Sequence, residues 1–103
     1  MRRSLRYSPA ALRDLDHVQQ WLTQPGAGAA SRKRLAAIQR ALRGLTRFPL
    51  ANAIETHLGY RALPCPGGYR AIYSILATDA DGGRVEVIHV LRIFGPGQSR
   101  DAM

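Results

Sequence analysis

The chain has 103 residues, 46% of them hydrophobic and 21% charged, a size and composition that suit one domain (residues 1–103) with a single core. Fifteen basic residues against seven acidic ones give a formal charge of +8, which predicts attraction to a polyanion, either nucleic acid or an acidic protein segment. No apolar run reaches the roughly 20 residues of a membrane helix, no apolar stretch follows the basic start as in a secretory signal, and a lone cysteine, Cys65, excludes an internal disulfide and a multi-thiolate metal site. A cytoplasmic protein without metal or cofactor is expected.

Residues 3–7 (Arg-Ser-Leu-Arg-Tyr) read as a short strand. Ser8-Pro9 then supplies a helix start, a serine cap followed by a proline whose missing N–H costs nothing at the first helical position. Leu12, Leu15, Val18 and Leu22 recur at helical spacing with Trp21 beside them, and Pro25-Gly26 ends the segment. Ser31 is placed to cap a second helix, in which Leu35, Ile38, Leu42 and Leu45 form one stripe and Arg40, Arg43 and Arg47 another. Phe48-Pro49 closes it. A short link between the helices predicts an antiparallel hairpin.

Residues 50–58 have weak periodicity and read as a connection. Tyr60–Leu63 is a strand candidate, turned by Pro64-Cys65-Pro66-Gly67-Gly68. In the next strand, residues 69–77, alternation puts Tyr69, Ala71, Tyr73 and Ile75 on one face and Arg70, Ile72, Ser74 and Leu76 on the other. Residues 79–83 form a polar hairpin turn. Residues 84–94 are apolar on both faces except at Glu86, His89 and Arg92, the pattern of a central strand. Gly95-Pro96-Gly97 stops it, and residues 95–103 read as a flexible tail. The order strand, two helices, three antiparallel strands gives a two-layer α+β domain (β-α-α-β-β-β), with the place of the first strand in the sheet left open.

Enzyme motifs are missing: there is no phosphate-binding Gly-rich loop ending in Lys-Ser/Thr, no Gly-x-Ser-x-Gly and no His-Glu-x-x-His. His17, His57 and His89 have no metal-ligand spacing. What remains is a set of cationic and aromatic residues on the strands: Tyr60, Arg61, Tyr69, Arg70, Tyr73, His89 and Arg92. Arginines of this kind are either solvated strand residues or bidentate contacts to phosphate or carboxylate. With neighbouring tyrosines they can hold RNA by stacking and charge. Cutting RNA would further require a poised general acid and base, and the set is thin for that.

Several stretches resemble the ParE/RelE toxin superfamily. They are Ser8-Pro-Ala-Ala-Leu-Arg-Asp-Leu15 with its continuation to Trp21-Leu22, Arg34-Leu-Ala-Ala-Ile-Gln-Arg-Ala-Leu42 with Phe48-Pro49, Gly59-Tyr-Arg-Ala-Leu-Pro64, Gly68-Tyr-Arg-Ala-Ile-Tyr73, and Val85-Glu-Val-Ile-His-Val-Leu-Arg92. They occur in family order over about residues 3–94. The resemblance implies the toxin of a type II toxin–antitoxin pair, in a hetero-oligomeric complex with a small acidic antitoxin.

Two activities compete within the superfamily. RelE-like members cut mRNA on the ribosome with basic residues and a C-terminal tyrosine, whereas ParE-like members poison DNA gyrase without nuclease residues. Arg70 matches the arginine after the Gly-Tyr of the RelE-like third strand, and Arg92 falls near the basic position ending their last strand. The lysines before the sheet and the C-terminal tyrosine are absent, which favours the ParE-like reading. The expectation is therefore a gyrase inhibitor using Arg61, Tyr69, Arg70, Tyr73, His89 and Arg92 to bind its target or antitoxin. A ribosome-dependent endonuclease relying on Arg70 and Arg92, and a non-toxic relic that only binds an antitoxin, are the alternatives.

Overall fold

In the computed structural model, which describes residues 2–52, 54, 59–80 and 83–96, a short strand β1 (Arg2–Tyr7) leads into two helices, α1 (Pro9–Thr23) and α2 (Gly28–Arg43). A 3₁₀ turn (Gly44–Thr46) extends α2. The second half is β2 (Arg61–Cys65), a 3₁₀ turn (Pro66–Gly68), β3 (Tyr69–Ala80) and β4 (Gly83–Phe94). The four strands form one sheet in the order β1-β4-β3-β2. The last three pair antiparallel in sequence, as expected, and β4 is central. β1, whose place the sequence left open, lies parallel to β4, with Arg2 beside Val85 through Tyr7 beside Val90.

The helical hairpin covers one face of the sheet. Ala11, Val18 and Leu22 of α1, Leu35, Ile38 and Leu42 of α2, and Leu45 pack on Tyr69, Ala71 and Tyr73 of β3 and Ile88, Val90 and Ile93 of β4. Removal of these side chains from water is the main stabilising term. Ala62, Ile72 and Phe94, with Tyr60 beside them, make a second, smaller cluster.

Ser8 sets the phase of α1. Its Oγ accepts the Ala11 N–H at 3.0 Å and donates to the Leu91 carbonyl at 2.7 Å, while its own N–H reaches the Val90 carbonyl at 2.9 Å. The cap thus ties the first turn to β4 and turns Ala11, not Leu12, into the core; Leu12 is 54% exposed. Three other expectations shift. The second helix begins at Gly28, so Ser31 lies inside it, and the cap position, Ala27, makes no side-chain cap bond. Gly26 and Gly28, at φ +86° and +85°, allow this tighter entry. β2 continues through Pro64 and Cys65, since an edge strand tolerates a proline without an N–H. The expected hairpin turn at 79–83 shrinks, because β3 runs to Ala80 and β4 starts at Gly83. Residues 55–58, His57 included, and 97–103 of the expected tail lie outside the described residues.

One irregularity decides which face β4 offers. Tyr73 pairs with Val90, but the next pair is Ile72 with Arg92, which leaves Leu91 as an extra residue, a β-bulge. Because strand side chains alternate with period two, this insertion lets both Val90 and Ile93 face the helices. It also places Arg92 and Phe94 on the opposite face, with Arg70 and Ile72.

Candidate functional site

The expected residues divide between the two faces of the sheet. Arg61, Tyr69 and Tyr73 face the helices. Tyr73 is fully buried; its hydroxyl donates to the Pro49 carbonyl at 2.6 Å and accepts from Asn52 Nδ2 at 3.1 Å. Arg61 donates from Nη1 to the Asn52 carbonyl. Together they fasten the segment after the 3₁₀ turn to β2 and β3, satisfying buried polar groups. Tyr69 is buried in the main core and forms part of a small cavity of about 170 Å³ with His17, Trp21 and Gly95.

Arg70, His89 and Arg92 face the other way, with the Ile72 and Phe94 cluster between the arginines. Arg70 pairs with Phe94 in register and is half-buried, its Nε enclosed. His89 sits between Ser74 of β3 and Arg6 of β1 and is half-buried, as expected for a strand residue. Arg70 and Arg92 therefore share a face, by virtue of the bulge.

Arg92 is already engaged. β1 ends opposite Val90, so beyond it β4 has no strand neighbour on that side among the described residues. Asp14 of α1 fills the gap: its Oδ2 accepts the Ile93 N–H at 2.8 Å and Arg92 Nε at 2.8 Å, and its Oδ1 accepts Arg92 Nη2 at 3.2 Å. The guanidinium also lies 5.0 Å from the centre of the Phe94 ring. The hydrogen bond that Arg92 donates to Asp14 pushes the Arg92 pKa above its ordinary value, with burial opposing and the charge of Asp14 adding to it. The bidentate geometry is one of the stronger polar contacts available to a protein. Asp14 was not among the expected site residues; it borders the buried stripe of α1, and nothing local in the sequence points to a partner 78 residues away.

Cys65 is buried, and burial pushes its thiol up to about 11. It fits a small turn-end residue and not a nucleophile.

On the helix side of the sheet, past the hairpin, a groove of about 440 Å³ is lined by Leu50, Ile54, Tyr60 and Ile75, with Arg61, Arg84 and Glu86 among its polar groups. Leu50 and Ile54 are 66% and 57% exposed, enough to mark an uncovered apolar surface. No helix among the described residues is long and apolar enough to cross a membrane.

The family model for the ParE toxin of type II toxin–antitoxin systems (parDE) matches residues 5–93. A solved structure described as the chromosomal ParDE TA system from P. aeruginosa is similar in fold, with a TM-score of 0.68 at 20% identity over 90% of this chain and 95% of that one. No curated protein matches the chain.

Proposed function

The chain belongs to the ParE toxin family of type II toxin–antitoxin systems, and from that premise we propose that it inhibits DNA gyrase by protein–protein binding and stalls the enzyme on cleaved DNA. The observation that carries the choice of binding over cutting is the state of Arg92. A nuclease would need that guanidinium for phosphate or transition-state charge, yet two of its nitrogens are held by Asp14. In register, His89 lies between Ser74 and Arg6, and Arg70 between Pro64 and Phe94. The outer face carrying Arg70 and His89 is the proposed target-binding surface.

The antitoxin partner implied by the family is proposed to seat its apolar side chains in the groove at Leu50, Ile54 and Ile75. Arg84 and Arg61 at this groove suit acidic flanking residues, in line with the +8 charge.

Induction of the chain without antitoxin separates the readings. Growth arrest with double-strand DNA breaks and intact translated messages is the expected result. Codon-positioned cuts in messages, abolished in Arg70→Ala, would move the assignment to a ribosome-dependent endonuclease. Unimpaired growth at confirmed expression would leave only an antitoxin-binding relic.

A further inference from the structure

Between Asp16 and Glu55 the chain has no acidic residue, yet it carries Arg32, Lys33, Arg34, Arg40, Arg43 and Arg47. At 3.6 residues per turn, Arg32, Lys33, Arg40 and Arg43 fall within about 100° of one another around α2. The buried stripe of Leu35, Ile38 and Leu42 lies on the opposite side. All four cations are exposed. Among the described residues, no ion pair or side-chain hydrogen bond holds any of them. Arg34 leaves the row, its stem running toward Gly67, where an added Cβ would meet Arg34 Cδ at 2.5 Å.

From Arg32 to Arg43 the row runs about 16 Å, at 1.5 Å per residue. At its far end is a depression of about 470 Å³ lined by Arg40, Arg43, Gly44, Thr46 and Arg47. The Arg3 guanidinium arrives at the same corner, donating to the Thr46 and Arg47 carbonyls at 3.2 and 3.1 Å.

We propose that this face of α2, with the depression at its end, binds the phosphate backbone of duplex DNA without reading its sequence. The chemistry of the face selects that ligand. Protein interfaces are organised around buried apolar or aromatic anchors, and the exposed residues of α2 outside the row are only glycine and alanine besides Arg34. Single-stranded nucleic acid is held by stacking on aromatic rings, and α2 has none. A duplex presents about one phosphate charge per 1.7 Å of its axis, so a straight row of cations on a rigid helix meets several at once. The face lies on the solvent side of the hairpin, across the sheet from its outer face, so DNA binding here does not use the residues of the proposed gyrase surface.

The test is fluorescence anisotropy of a short labelled duplex of arbitrary sequence with the full-length chain, over a range of salt concentrations. The variant R32Q/K33Q/R40Q/R43Q changes exposed helix positions to a good helix former. Its control, R2Q/R6Q/R13Q/R84Q, removes the same charge from exposed positions elsewhere. The α2 variant is expected to bind about 100-fold more weakly at low salt, with the log–log salt slope shallower by about 0.9 for each phosphate no longer neutralised. The control is expected to weaken by less than about tenfold. Equal weakening in both variants would make the binding a matter of net charge and overturn the proposal. So would the absence of duplex binding, or tighter binding of a single-stranded RNA of equal length. A polyglutamate peptide bound as tightly as the duplex, and released by the α2 substitutions, would overturn it too, reassigning the face to an acidic protein segment.

Discussion

Asp14 joins two parts of the chain that sequence keeps 78 residues apart, completing the hydrogen bonding of β4 and holding Arg92. The pair is only partly exposed, 15% at Asp14 and 33% at Arg92, so its removal leaves half-buried donors without an acceptor. Asp14→Ala should lower stability by about 2–3 kcal/mol and the thermal midpoint by about 10 °C, read by circular dichroism; an unchanged midpoint would refute the role given to Asp14. Cys65 offers a second check. With the thiol pushed up to about 11, the thiolate is a minor species at pH 8 and becomes abundant only as pH rises toward 11. Native protein should resist iodoacetamide at pH 8 and react once unfolded, as followed by mass spectrometry; rapid native labelling would contradict its burial. The residue types at these sites were legible in the sequence, but their engagement was not. Tyr73 and Arg61 look like surface binding groups along their strands, and only tertiary contact with Pro49 and Asn52 reveals them as fasteners.

The elements themselves were largely readable because their signals are local. Ser8-Pro9 marks the start of α1, and alternation along residues 69–77 names the inward face of β3 correctly. What escaped depends on non-local pairing. A helix beginning at Gly28 without a side-chain cap bond gives no capping signal, and Pro64 reads as a turn residue until β2 is known to be an edge. The other edge, β1, carries Arg2, Arg3 and Arg6, charges that discourage strand addition. The bulge at Leu91 is the least legible feature and the most consequential. Because Leu91 is the spare residue, deleting it leaves Val90 and Ile93 inward and Arg92 outward in a regular ladder. Deleting Ile72, opposite it in a strand with no spare residue, turns Tyr69 and Ala71 away from the helices. The Leu91 deletion should therefore keep a cooperative thermal transition, lowered by the missing acceptor for Ser8, whereas the Ile72 deletion should abolish it. Loss of the transition in both would show that the bulge does more than restore the alternation.

At the scale of the molecule, the fold was legible through superfamily resemblance, and the family match over residues 5–93 agrees with it. The +8 charge predicted a polyanionic partner without locating it; the structure gathers five of the fifteen basic residues on α2. Leu50→Arg, at an exposed position, should weaken binding of the co-expressed antitoxin by at least about tenfold, the effect of losing about 1.4 kcal/mol, while leaving the thermal midpoint of the free chain unchanged. Isothermal titration calorimetry measures the first quantity, and undiminished affinity would remove the groove from the antitoxin interface.

The most direct measurement is supercoiling of relaxed plasmid by purified gyrase in the presence of this chain, with detergent added to trap cleaved DNA. Inhibition with accumulated double-strand breaks, relieved when antitoxin is added first, is the expected result. Uninhibited supercoiling by a preparation that arrests growth in cells would contradict it.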